Sequence, residues 1–211
     1  MEERSVTPLA GVLSMVLFVI GIVVIESGDI PGDDATGAEI AAYYADGLNR
    51  LATGAVLWGI GILALILFLD GLRTRVLPAS AKLARLTYGY GFAAALFLLG
   101  SIMPDVSAAL ASDNLDRPLE SGGAELASGL GDGFFIAAEL MLVGFFVAVG
   151  LAAVRLRALP AWLGWISFLL AVVAVILPIG WAVVVFGLPI WVLITSAVLW
   201  FGNREAAPQS A

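Results

Sequence analysis

Residues 158–203 form a run of 46 residues without a charge. A helix crosses the hydrocarbon core of a bilayer with about 20 apolar residues. The run is therefore too long for one crossing and right for two. Pro178-Ile179-Gly180 is the expected break. Proline disfavours helical geometry in the residue before it, and glycine permits the turn. The expected helices are 161–178 and 181–201, with Pro189 either kinking the second or marking a different break.

Four further runs are bounded by charges. They are 8–25, 51–69, 86–104 and 133–154, and the last of these contains one charge, Glu139. Each is long enough for one span. The fold class predicted is all-α, a polytopic bundle of six spans forming one transmembrane domain. Composition agrees. The chain has 211 residues, 61% hydrophobic and 13% charged, against roughly a quarter charged in soluble domains. The first run is read as an uncleaved span, because Glu2 and Glu3 accompany Arg4 before it and no A-x-A-like site follows.

There is no Cys and no His. That excludes disulfides, thiolate metal sites, iron–sulfur clusters, His-ligated haem and the commonest general base. The single lysine, Lys82, lies in a polar loop, so a Schiff base inside the bundle is excluded too. No metal site, cofactor or catalytic residue is expected, and no nucleic-acid partner. The expected partners are the lipid bilayer and either another membrane protein or a second copy in a homo-oligomer.

Six spans put both termini on one side. With the termini inside, the inner segments hold Arg4, Arg73, Arg75, Lys82, Arg85, Arg155, Arg157 and Arg204, and the outer ones only Arg50 and Arg117. This is a positive-inside pattern for a bacterial cytoplasmic membrane. The net charge of −7 then divides into inside 8 − 4 = +4, outside 2 − 12 = −10, and Glu139 at −1.

Two heptads match at an offset of 82: Arg73-Thr74-Arg75-Val76-Leu77-Pro78-Ala79 and Arg155-Leu156-Arg157-Ala158-Leu159-Pro160-Ala161. Upstream, Ala38-Glu39-Ile40-Ala41 resembles Ala124-Glu125-Leu126-Ala127. The repeated order predicts a tandem duplication of a helical hairpin, with parallel repeats. The plainer alternative is that Arg-rich inner turns with a helix-starting proline recur independently. Arg73, Arg75, Arg155 and Arg157 are expected as interfacial anchors.

The outer segment 26–50 is acidic. Thr36 and Glu39 have capping-box spacing, and Ile40, Tyr43, Tyr44 and Leu48 follow at helical intervals up to the stop at Gly47. A short amphipathic helix over 37–47 is predicted at the outer interface, with Tyr43 and Tyr44 as further anchors. A lid over an outward cavity is the other reading. The second outer segment, 105–132, is also acidic, and Ser121-Gly122-Gly123 within it is expected to be flexible.

Glu139 is the one charge inside a predicted span. A carboxylate there costs about 2–3 kcal/mol on insertion scales and must be protonated or paired. Arg50, entering its span at a similar outer level, is the candidate partner, and the two form the candidate ion or ligand site. The competing reading is a carboxylate that reaches the interface or bonds a hydroxyl. Thr87-Tyr88-Gly89-Tyr90-Gly91 looks like a potassium filter, but it opens a full span directly after Arg85 rather than following a pore helix.

Ala38-Glu39-Ile40-Ala41-Ala42-Tyr43-Tyr44-Ala45-Asp46 and Leu159-Pro160-Ala161-Trp162-Leu163-Gly164-Trp165 resemble segments of a class of uncharacterised actinobacterial multi-pass membrane proteins. That resemblance implies about six spans and a bacterial cell membrane, and it implies no activity. The first functional expectation is a non-enzymatic accessory or interaction component. The alternative is a small transporter or channel component using Glu139 for proton or cation coupling. A membrane enzyme ranks third, since catalysis without His or Cys needs clustered Asp, Glu or Ser.

Overall fold

The computed structural model describes residues 6–32 and 34–205. Among these the fold is all-helical and contains no strand. Helix α1 is Val6–Ile25, α2 Gly37–Ala45, α3 Leu48–Val76, α4 Ala81–Leu115, α5 Ser121–Leu156, α6 Ala161–Val175, α7 Leu177–Ala182 and α8 Leu188–Glu205. A π-helical turn, Val183–Gly187, joins α7 to α8. Five helical stretches are long and apolar enough to cross a bilayer: α1, α3, α4, α5 and Ile179–Phe201. The chain is a helical membrane bundle.

The helices outrun the apolar stretches that announce them. Pro104 removes one backbone donor from α4 without ending it, and the polar residues to Leu115 continue the helix. Helix α5 starts at Ser121, so the glycine pair expected to be flexible forms its first turn. Packing explains this. A Cβ on Gly37 would stand 2.7 Å from the Ser121 Cβ, and Ala124 is fully buried. That tertiary contact outweighs the backbone entropy lost by glycine.

The break in the longest apolar run falls at Ile176, two residues before the expected Pro178. Proline is tolerated in the first helical turn, where its missing N–H has no partner to lose, and Pro178 stands in the first turn of α7. Ile176 takes the extended geometry instead, at φ −86° and ψ 90°. The arms on either side pack antiparallel. Trp191 Nε1 donates to Ser167 Oγ at 2.9 Å, and Gly187 lies against Leu170. Pro189 is absorbed by the π turn, in which the Leu188 N–H reaches back five residues to the Val183 carbonyl.

The chain divides into two compact units. The first comprises Met1–Met15, Leu63–Ala95 and Glu139–Ala211; the second comprises Val16–Ile62 and Leu96–Ala138. The core of the first centres on Trp191, whose ring meets Phe145, Phe146 and Phe68 edge-on at 5.3, 5.6 and 6.5 Å. In the second, Phe18 stacks on Trp58 at 5.2 Å.

Both heptads lie in the first unit, but their backbones differ. The first lets α3 run to Val76, and the Ser80 hydroxyl then caps α4 through the Leu83 N–H. The second ends α5 at Leu156 with Arg157 in the left-handed region, φ 54°. The Ala158 N–H returns six residues to the Ala152 carbonyl, which satisfies an otherwise orphaned helix end. The two turns nonetheless share a core of Val76, Ala84 and Ala152, with Leu83 and Ala158 against it.

Candidate functional site

The residues singled out from sequence fall into both units. Glu139 lies in the first and is 3% exposed. Its Oε2 stands 2.9 Å from where a Cβ on Gly180 would be, so the carboxyl packs against the first turns of α7. A side chain at position 180 would oblige the carboxyl to shift. Arg73 pairs with Asp70 at 3.1 Å, the one ion pair among the described residues, and lies over the Tyr88 ring. Arg75, Arg155 and Arg157 are exposed.

The second unit holds Tyr43, Tyr44 and Arg50. Thr36 and Glu39 form the capping box that starts α2, with the Thr36 N–H and hydroxyl both donating to Glu39 Oε2, at 2.7 and 2.8 Å. Helix α2 is then held at both ends. Gly37 sits on Ser121 and Glu125 of α5, and the Tyr44 hydroxyl donates to Asp105 Oδ1 of α4 at 2.8 Å. Tyr44 is 2% exposed. It is a buried strut of this unit and not the exposed anchor expected of it, because its hydroxyl finds an acceptor inside. Burial, and then the charge of Asp105, push the Tyr44 hydroxyl's pKa far above its ordinary range, so it stays a donor.

With Ala41 and Tyr44 turned inward, helical spacing puts Glu39, Ala42, Tyr43 and Asp46 on the opposite face of α2. That face lines a cleft of about 650 Å³, lined on its other sides by residues 28–32, Asp34, Ala35 and Arg50. Gly47 allows α2 to turn into α3, since a Cβ there would stand 2.6 Å from the Tyr43 carbonyl oxygen. The Arg50 guanidinium lies over the Tyr43 ring, 4.5 Å from its centroid. Gly28 makes this possible, because any side chain there would overlap the guanidinium. Arg50 Nε is buried without a hydrogen-bond partner. Four carboxylates, Asp29, Asp34, Glu39 and Asp46, share the lining.

The cleft was not visible in the sequence. Nor were Asp105, Gly180 and Gly28, whose partners are 61, 41 and 22 residues away in the chain. No group of three or more Asp or Glu among the described residues is arranged to hold a metal ion.

The capping box carries a pH dependence. The backbone and hydroxyl bonds from Thr36 hold the Glu39 carboxyl below its ordinary range. A lowered carboxylate pKa contributes stability above the unfolded value, and that stability disappears as pH falls through the folded one. Helix α2 is therefore expected to fray on acidification below the ordinary carboxylate range. Helical chemical shifts over residues 37–45 report it; shifts that persist unchanged in strong acid contradict it.

Fold and cleft together define a helical membrane bundle with a polar recess on a short helix between its first two long helices. No family model matches the chain, and no curated protein or solved structure is similar to it.

Proposed function

We propose that this protein is a non-enzymatic accessory or interaction component of a bacterial cytoplasmic membrane, acting through the cleft beside α2. It crosses the membrane six times with both termini inside. The observation that carries this reading is Arg50, in no ion pair among the described residues and held on Tyr43 at the edge of the recess.

The six-span topology draws support from the antiparallel pairing of α6 with α8. Helix α6 has 15 residues, about 22 Å at the helical rise and somewhat short of a 30 Å hydrocarbon core. The orientation draws support from the two units. Arg73, Arg75, Lys82, Arg85, Arg155 and Arg157 all fall in the first, and Asp29, Asp34, Glu39, Asp46, Asp105 and Asp132 in the second. The residues 1–5 and 206–211, which carry the termini of that topology, lie outside the described residues.

Photocrosslinkers at positions 34 and 46, in cells, test the interaction. A discrete adduct is expected from both and none from position 162, whose tryptophan is exposed on α6. Absence of any adduct at 34 and 46 sinks the reading.

Transport is the second reading, favoured by the burial of Glu139 beside a helix break and a π turn. Broken helices and buried carboxylates accompany ion sites in transporters. Proton flux into liposomes separates the two. Equal flux for wild type and Glu139→Gln is expected; flux that the substitution abolishes would transfer the function to Glu139.

A further inference from the structure

Of the described residues lining the cleft, Arg50 is the one cation and shares the lining with four carboxylates. Glu39 is committed to Thr36. Asp29, Asp34 and Asp46 are in no ion pair among the described residues, and neither is Arg50. A plain anion drawn to Arg50 would meet the repulsion of the carboxylates. A plain cation would satisfy the carboxylates and leave the guanidinium unanswered. A ligand bearing both charges meets both.

The anionic end is set by Arg50. A guanidinium offers a planar fork that matches phosphate or carboxylate oxygens, and stacking on Tyr43 fixes its plane. Arg50 immediately precedes the apolar run 51–69. Once that run spans a bilayer, its guanidinium lies at the level of the lipid phosphates. A cleft of about 650 Å³ is within the range of small-molecule sites.

We propose that the cleft binds a phosphate–ammonium zwitterion, the phosphate on Arg50 and the ammonium among Asp29, Asp34 and Asp46. This deepens the interaction reading and rests on the cleft being the working surface. The zwitterion has two sources, a phosphatidylethanolamine headgroup and soluble phosphoethanolamine.

The purified full-length protein is titrated calorimetrically with O-phosphoethanolamine, inorganic phosphate and ethanolamine. Saturable binding of the zwitterion is expected, tighter than of either half. Arg50→Gln should weaken it about tenfold or more, as loss of a charged hydrogen-bond donor does. Gly28→Ala keeps every charge and displaces the guanidinium, so it should weaken binding too. Asp34→Asn with Asp46→Asn should bring the zwitterion's affinity down toward that of phosphate. These three sets act on different elements, so misfolding of one leaves the others decisive. Equal binding by wild type and variants overturns the proposal, as does phosphate binding as tightly as the zwitterion, or no binding at all.

Nanodiscs of phosphatidylethanolamine with phosphatidylglycerol, followed by native mass spectrometry, identify the source. Phosphatidylethanolamine retained by wild type and lost with Arg50→Gln assigns the lipid. Soluble binding without such retention assigns the free zwitterion. Absence of zwitterion binding with the crosslinks at 34 and 46 intact removes this inference alone. Binding without crosslinks removes the protein-partner reading alone.

Discussion

Trp191→Ala is expected to destabilise the bundle by about 3–5 kcal/mol, the usual range for emptying a buried aromatic site. Trp191 is 1% exposed and packs on Phe68, Phe145 and Phe146. In a membrane the surroundings are as apolar as the core, so little of the loss comes from solvent transfer. It comes from dispersion contacts forfeited around the cavity, and from Ser167 Oγ, which loses the donor at 2.9 Å. Trp191→Phe separates the two contributions. It retains most of the packing and should cost about 1 kcal/mol for the hydrogen bond, plus a smaller packing loss. Reversible unfolding in mixed micelles measures both. A Trp191→Ala cost of about 0.5 kcal/mol or less, the range of ordinary surface substitutions, would mean that this aromatic cluster is not the centre of the first unit.

Gly180→Val should cost less than Trp191→Ala but still destabilise, by overpacking and not by cavity. The first added carbon would lie 2.9 Å from Glu139 Oε2 and 3.1 Å from the Ala174 carbonyl oxygen. Forcing atoms into a packed core costs typically about 1–3 kcal/mol, and here both the Glu139 carboxyl and the Ala174 carbonyl must give way. Part of the cost belongs to Glu139 and part to the backbone. A double-mutant cycle with Glu139→Ala isolates the first part, and a coupling of about 0.5–3 kcal/mol is expected for groups in contact. Independence of the two substitutions would show that the carboxyl does not rest on Gly180. The cycle also bears on function. A strongly coupled Glu139 whose replacement by Gln leaves proton flux unchanged is a packing residue that happens to be ionisable.

The helices were legible because the signals that make them are local. Thr36 and Glu39 are three residues apart, and the capping box forms as their spacing implies. Apolar runs of span length, one of them holding Glu139, became helices α1, α3, α4 and α5. Element ends were less legible, since they depend on partners far along the chain. The start of α5 moved to Ser121 because Gly37 packs there. The break at Ile176 moved from the expected site because proline can begin a helix as readily as end one.

The candidate site divides in the same way. That Arg50 and Glu139 are unusual follows from sequence, since each is a charge at the edge of or within an apolar run. Their surroundings do not. Arg50 stands on Tyr43 because Gly28 leaves space, and Glu139 rests on Gly180 for a similar reason. Tyr43 and Tyr44 are adjacent and chemically identical, yet one lines the cleft and the other is buried on Asp105.

By itself, then, the sequence determined that this chain is a helical membrane protein, which stretches are apolar enough for a span, and where the charges concentrate. Hydrophobic length and charge spacing act within a single helix and need no knowledge of its neighbours. Only the tertiary structure decided which side chains share a cleft, which tyrosine turns inward and what a buried carboxylate touches. Those depend on contacts between distant segments, where a missing Cβ at Gly28 or Gly180 leaves the space that a charged side chain occupies.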